Sequence, residues 1–282
     1  MAALDVDAVT RLVTEAAARA VMPRFRALPE NEIETRPGGE LVTAADREAE
    51  QIITAGLQLI LPQVPVVAEE AVAERPGLIT ALTNAPRAWL VDPLDGTANF
   101  VSGSTDFAIM VALVEAGSTV AAWIHRPHDG RTYVAERGAG AYRDHRRLRR
   151  NPAPASLETL RGSVLERFLG DRQRGETRTA GGVFATVGPG RRCAGVDYPL
   201  IVEGEQDFTV YARTLPWDHA PGVLLLSEAG GTSQRPDGRD YRPAEPGLGL
   251  VAAADPETCR RVTAVFRAVY RAPEAIEDEG RR

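Results

Sequence analysis

The sequence predicts a mixed α/β (α+β) protein built from two packed subdomains. Three patterns carry that reading. Apolar residues recur at helical spacing in two early segments, short buried runs end in acidic residues, and the character of the chain changes near residue 146. At 282 residues the chain can hold one large domain or two smaller ones around an ample core.

The elements follow in order. Val6, Val9, Val13, Ala16, Ala17 and Ala20 share one face of a helix over residues 5–28. A polar link with two glycines, Glu34 to Glu40, leads to a second helix over about residues 44–60. Thr43 is its N-cap, and Ala49, Ile52, Ile53, Leu57 and Ile60 form its buried stripe. Val64 to Ala68 and Ala88 to Val91 read as short buried strands. Phe107 to Glu115 and Thr119 to His125 are longer strands joined at Gly117-Ser118, and Thr132 to Glu136 and Gly140 to Arg143 continue the meander. Arg150-Asn-Pro-Ala-Pro-Ala155 marks the junction. It divides an N-terminal subdomain (1–148), holding most of the acidic residues of interest, from a C-terminal one (149–272) that completes the site. Residues 170–192 lack periodicity and read as surface loop. Helices near 196–203 and 217–229 follow, the second stopped by Gly230-Gly231, then a strand at 248–253 and a helix at 256–270. Residues 273–282 read as a tail.

Composition narrows the function. Hydrophobic residues at 44% and charged residues at 26% describe a globular chain, and the net charge of −6 does not favour nucleic acid. Cys193 and Cys259 build no disulfide framework and no zinc spacing. Asp5 and Asp7 stand where a secretory leader would be basic, and apolar runs such as Val223 to Leu226 are too short to span a bilayer. A cytoplasmic location without membrane contact is the expectation.

The chemistry lies in the carboxylates. Glu69-Glu70 closes one predicted strand, Asp92-Pro-Leu-Asp95-Gly-Thr97 closes the next, and Asp218 opens a helix. Strand ends and helix starts line one crevice in open α/β arrangements. Carboxylates gathered there repel unless cations offset them, and oxygen-only donors favour magnesium or manganese. Pro93 fixes the backbone so that the Leu94 carbonyl can join Asp92 and Asp95 around metal. Gly96 permits the turn that aims the N–H groups of Gly96, Thr97 and Ala98 at a phosphate. Two cations about 3.5–4 Å apart could clamp an in-line displacement. Each residue also has a plain structural role open to it. Asp-Pro-x-Asp-Gly is good turn chemistry, Asp46 can close a capping box with Thr43, Asp218 can serve a helix dipole, and Glu69 and Glu70 can be solvated.

Taken together, Ala68-Glu69-Glu70, Asp92-Pro-Leu-Asp-Gly-Thr-Ala-Asn-Phe100 and Trp217-Asp-His-Ala-Pro-Gly222 followed by Glu228-Ala-Gly-Gly231 resemble the signature segments of the inositol monophosphatase family, in its order and spacing. Leu41-Val-Thr-Ala-Ala-Asp46 resembles the segment that precedes them. The resemblance spans about residues 5–270. It implies a layered αβαβα sugar-phosphatase-type fold, a lithium-sensitive, magnesium-dependent phosphomonoesterase, and a homodimer. On the matching positions Glu69, Asp92 and the Leu94 carbonyl would hold a first ion. Asp92, Asp95 and Asp218 would hold a second, and Glu69 would help with a third. Thr97, oriented by Asp46, would position the attacking water, with no covalent phosphoenzyme, since Ser, His and Cys take no part in the signature.

The chain departs from the family pattern in three places. Tyr211, with Arg213 nearby on what reads as a surface strand, stands where a Glu binds a substrate hydroxyl in that family. Arg192-Cys193-Ala194 replaces a small Gly-Ser/Thr-Ala loop, and Arg36 replaces a Lys. With Gly96, Thr97 and Ala194, Tyr211 and Arg213 are the expected substrate contacts, and they suit a second negative charge or a ring better than bare inositol phosphate. Histidinol phosphate, a sugar bisphosphate and a nucleotide 3′-phosphate are the alternatives. A non-catalytic partner of transcription or RNA machinery is the reading of another class. The basic run Arg143 to Arg150 reads as a solvated edge strand that blocks edge pairing. His125 and His128 read as strand-end or loop residues.

Overall fold

In a computed structural model, which describes residues 4–245 and 247–270, α1 (Val6–Ala16) starts at Asp5, whose carboxylate accepts the Ala8 N–H at 2.8 Å. The predicted tail, 273–282, lies outside the described residues. The long first helix does not continue: its backbone widens into a π turn at Ala17–Val21 and tightens into a 3₁₀ turn at Met22–Arg24. Pro23 lacks the N–H that would extend the ladder. A small hairpin, β1 (Ile33–Thr35) and β2 (Leu41–Thr43), replaces the polar link. Next, α2 (Ala44–Ile60) takes its predicted bounds, with Thr43 as N-cap and a full capping box to Asp46.

The chain then forms β3 (Val66–Ala68), α3 (Glu69–Glu74), α4 (Ala81–Asn84), β4 (Arg87–Asp95) and α5 (Thr97–Val101). The meander is β5 (Ala108–Glu115), β6 (Ser118–Arg126), β7 (Arg131–Glu136), β8 (Gly140–Arg143) and β9 (Arg146–Leu148). Strands β3 to β9 lie in chain order in a seven-stranded sheet, antiparallel except for the β3/β4 pair. The basic run does form its edge, as expected. Arg143 is ion-paired to Glu203, and Arg150 reaches Asp207 at 2.8 Å.

Beyond the junction come β10 (Arg161–Leu165), α6 (Asp171–Gly181), β11 (Thr186–Gly188), α7 (Ala194–Glu203), β12 (Phe208–Tyr211), α8 (Pro216–Ala229), β13 (Thr232–Gln234), β14 (Leu250–Ala253) and α9 (Pro256–Phe266). The strands make a mixed five-stranded sheet in the order β11-β10-β12-β14-β13. Two expectations fail here. Residues 170–192 are not loop throughout, because α6 occupies their first half. Its sequence lacks an apolar stripe, and it docks instead through buried Gln173 and Thr177, Gln173 donating to the Val269 carbonyl at 3.1 Å. The strand bearing Tyr211 is not at the surface either. It runs through the middle of the five-stranded sheet with all four residues buried.

Side-chain alternation sorts the layers. On β4, Trp89 and Val91 pack with α1 and α2, while Ala88 and Leu90 meet Trp217 and Ala220 of α8 on the opposite face. Val196, Tyr198 and Leu225 of α7 and α8 fill the gap between the sheets, touching Met110 and Ile124 on one side and Leu250 on the other. The far face of the second sheet is covered by Cys259, Val262 and Phe266 of α9. The stack is αβαβα.

The central helices approach closely because position 222 lacks a side chain. A Cβ on Gly222 would fall 2.0 Å from the ring of Tyr198, which is fully buried. Gly222→Ala is therefore expected to destabilise the fold by about 1–3 kcal/mol through overpacking. Urea denaturation checks this by the midpoint. An unchanged midpoint would show that the helices move apart at no cost.

Candidate active site

The acidic segment at the end of β4 is shaped by its own backbone. Pairing with β5 slips between Asp92 and Asp95, where Pro93 cannot donate. Asp92 Oδ1 accepts the Leu94 N–H at 3.0 Å. Gly96 has φ +86°, and a Cβ there would lie 2.7 Å from the Asp106 carbonyl oxygen, so this turn admits only glycine. Directly after it, α5 begins at Thr97.

Asp46 does two things at once. Its Oδ2 accepts the Thr43 N–H at 2.9 Å and the Thr43 hydroxyl at 2.5 Å, which caps α2. Its Oδ1 lies 3.0 Å from Thr97 Oγ1, whose other acceptor in reach is the Leu94 carbonyl at 2.9 Å. Capping and orienting Thr97 are thus one arrangement. Glu69 is delivered by the first turn of α3, which is held by Glu50: its carboxylate accepts the N–H groups of Glu70 and Ala71 at 2.7 and 2.9 Å. Glu70 points elsewhere and pairs with Arg36. Asp218 sits in the first turn of α8, behind Pro216. Asp95 reaches across the molecule, its Oδ2 accepting the Gly195 N–H of α7 at 2.6 Å and the Cys193 thiol at 3.2 Å.

A cavity of about 380 Å³ gathers Glu69, Asp92, Leu94, Asp95, Gly96, Thr97, Ala194, Tyr211, Arg213 and Asp218. Of the site residues expected from sequence, only Asp46 is not in its wall, standing behind Thr97. Burial and mutual repulsion act together on the acids. Desolvation, then the negative charge of Asp218, pushes Glu69 well above the usual carboxylate range. Desolvation, then Glu69 and Asp95, does the same to Asp92. Asp218 rises to about 8 through burial and then Asp95. Asp95 and Asp46 rise to about 6, burial outweighing the N–H, thiol and hydroxyl groups that hold them.

Such a set favours cations, and its donors are all oxygen, which fits magnesium in chemistry. Among the described residues no three of the His, Cys, Asp and Glu side chains converge tightly enough to coordinate one ion as they stand. Hydrogen bonds draw Asp95 Oδ2 onto α7 and Asp92 Oδ1 onto the Leu94 N–H.

Two expectations about the substrate side change. Tyr211 lines the cavity but is 2% exposed, wedged between the rings of Tyr198 at 5.4 Å and His219 at 4.6 Å. Arg213 is half-buried, paired with Glu40 at 2.5 Å, with its guanidinium 4.0 Å from the centre of the Phe168 ring. Sequence reasoning passed over Arg167 and Phe168, which line the cavity together with Arg192. It also missed that Cys193 touches Asp95, a contact between residues 98 apart that local patterns do not encode.

The layered fold and the cluster of carboxylates in its cavity place the chain among the metal-dependent phosphomonoesterases. The model of the inositol monophosphatase family matches residues 5–269. The Rhizobium meliloti inositol-1-monophosphatase is 36% identical over 205 residues, 71% of this chain and 73% of that protein. The Thermotoga maritima fructose-1,6-bisphosphatase/inositol-1-monophosphatase is 34% identical over 198 residues, 68% of this chain and 70% of that one. A solved Thermotoga maritima IMPase superposes with a TM-score of 0.78 at 26% identity, covering 94% of this chain and 97% of the other. This chain belongs to the inositol monophosphatase family and is a magnesium-dependent phosphoric monoester hydrolase. No helix among the described residues is long and apolar enough to cross a membrane.

Proposed function

We propose that the chain hydrolyses a small phosphomonoester with water that Thr97 and Asp46 hold in place, on up to three magnesium ions. Glu69, Asp92, the Leu94 carbonyl, Asp95 and Asp218 would hold them, Glu69 serving a third. Bound magnesium supplies charge neutralisation and Lewis acidity at the phosphate oxygens. Thr97 has one hydroxyl hydrogen and two acceptors in reach, Asp46 Oδ1 and the Leu94 carbonyl. Donating to Asp46 leaves the lone pairs of Thr97 Oγ1 to accept from the attacking water. The N–H groups at the start of α5 face the phosphate. The observation that carries this reading is the shared carboxylate of Asp46, pinned through one oxygen to the α2 cap and presenting the other to Thr97.

The intact acidic set speaks for catalysis over a scaffold role, since a scaffold has no use for such mutually repelling buried carboxylates. The reading includes a homodimer and a cytoplasmic location, both resting on the family resemblance and the first checked by light scattering. It also includes no nucleic-acid partner, supported by the ion pairs that occupy Arg143 and Arg150. A subdomain boundary near residues 148–149 is supported by the first sheet ending at Leu148 and the second starting at Arg161.

For the substrate, Tyr211 offers no carboxylate to a polyol hydroxyl, which costs about 1–3 kcal/mol where a hydroxyl goes unpaired, or roughly one to two decades in kcat/KM. The test is a phosphomonoester panel assayed with magnesium and again after chelation. Chelation is expected to abolish turnover, and myo-inositol 1-phosphate to fall behind at least one aromatic or doubly anionic substrate. A tenfold lead for inositol 1-phosphate would reverse the reading of Tyr211 while leaving the hydrolase intact. Turnover that survives chelation would remove the metal site.

A further inference from the structure

One buried side-chain pair ties the first turn of α8 to α7. The Tyr198 hydroxyl lies 3.0 Å from His219 Nδ1, and the other ring nitrogen, Nε2, lies 3.2 Å from the Arg213 carbonyl oxygen. Tyr198 is fully buried and His219 is 2% exposed. Burial pushes the His219 pKa down to about 3, so the ring is neutral and carries a single N–H hydrogen. A carbonyl only accepts, which places that hydrogen on Nε2 and makes Nδ1 the acceptor of the Tyr198 hydroxyl. The rings of Tyr211 at 4.6 Å and Tyr241 at 6.3 Å stand edge-on to the imidazole and hold its plane. Among the described residues no other side-chain hydrogen bond joins α7 to α8.

Each end of the pair sits beside an acidic residue of the site. His219 follows Asp218 in the first turn of α8. Tyr198 stands one helical turn beyond Gly195, whose N–H donates to Asp95 Oδ2 at 2.6 Å. Contact therefore runs from Asp95 through Gly195 and one turn of α7 to Tyr198, and across to His219 and Asp218. The Tyr198 ring is also pressed against Gly222, one turn further along α8, so the hydroxyl cannot swing away from the imidazole without moving a helix.

We propose that Tyr198 and His219 are positioning residues for the metal site, their hydrogen bond setting the distance between Asp95 and Asp218 of the two subdomains. The inference rests on reading these carboxylates as magnesium ligands. Without cations they repel each other, and a loosely held α8 would relieve the repulsion by moving Asp218 outward. Magnesium tolerates little departure from its preferred coordination, so a site held at the right width binds it more tightly than one that must first be drawn together.

The experiment titrates magnesium into the substrate-free protein by calorimetry, so that binding is read without turnover. Tyr198→Phe removes the hydroxyl and keeps the ring against Gly222. It is expected to weaken magnesium binding about tenfold, while kcat at saturating magnesium stays within about threefold of the parent. His219→Asn keeps an acceptor near the Nδ1 position and is expected to bind closer to the parent than His219→Phe, which keeps a ring but neither nitrogen. Adding Tyr198→Phe to Asp95→Asn is expected to cost little further binding, because the spacing it sets no longer matters, whereas a general loosening of the fold would weaken the remaining site as well. Unchanged magnesium binding in Tyr198→Phe overturns the inference, even if its urea midpoint falls. Full additivity with Asp95→Asn overturns it too. Should Tyr198→Phe fail to fold, the contrast between the two His219 variants decides, and equal binding in them overturns the inference. A parent protein that binds no magnesium would instead remove the metal-site reading and this one with it.

Discussion

Asp95→Asn is expected to lose at least about a thousandfold in kcat at saturating magnesium, equivalent to about 4 kcal/mol of transition-state stabilisation. The substitution keeps size and shape but removes the charge that Asp92 and Asp218 would share around a second ion. It should not unfold the protein. An Asn side-chain oxygen can still accept the Gly195 N–H that Asp95 takes at 2.6 Å. Removing one of several crowded negative charges also lessens the repulsion that raises the pKa values of Asp92 and Asp218. Thermal melting without magnesium should therefore match or exceed the parent. More than a tenth of the parent kcat remaining would show that Asp95 is no ligand, and a collapsed melting temperature would show that its charge is structural.

Thr97→Val is expected to cost about a hundredfold in kcat, within the range for losing a group that positions a proton in flight, with KM little changed. Valine is isosteric but cannot donate to Asp46 Oδ1 or accept from water. Thr97→Ser keeps the hydroxyl and should stay within about tenfold of the parent. Stopped assays of both variants at saturating magnesium decide it. Equal losses in Val and Ser would mean that the methyl group packs the turn and the hydroxyl is idle.

What was legible in the sequence was local. The capping box of α2 announced itself by Thr43 and Asp46 three residues apart, and the turn after β4 by Pro93 and Gly96. The αβαβα order followed from the family resemblance, and the packing bears it out. The misses share a cause. Helix α6 buries polar Gln173 and Thr177 rather than an apolar stripe, so hydrophobic periodicity could not find it. Strands β10 and β12 are short, and their burial comes from neighbours far away in the chain. Tyr211 was placed on the surface because nothing near it reveals that β12 lies between β10 and β14. Arg167 and Arg192 meet Arg213 only after the second sheet has formed.

The contact between Asp95 and Gly195 closes a loop of 100 residues. Contacts of that span form late, because their closure entropy must be overcome before they add any stability. The cavity also needs Glu69 and Asp218, which lie on either side of that loop. No early folding intermediate then holds the complete acidic cluster, so a growing or refolding chain does not expose a finished cation trap to the solvent. Recovery of hydrolysis during refolding accordingly times the docking of the second sheet and α7 onto the first, and not the collapse of either core.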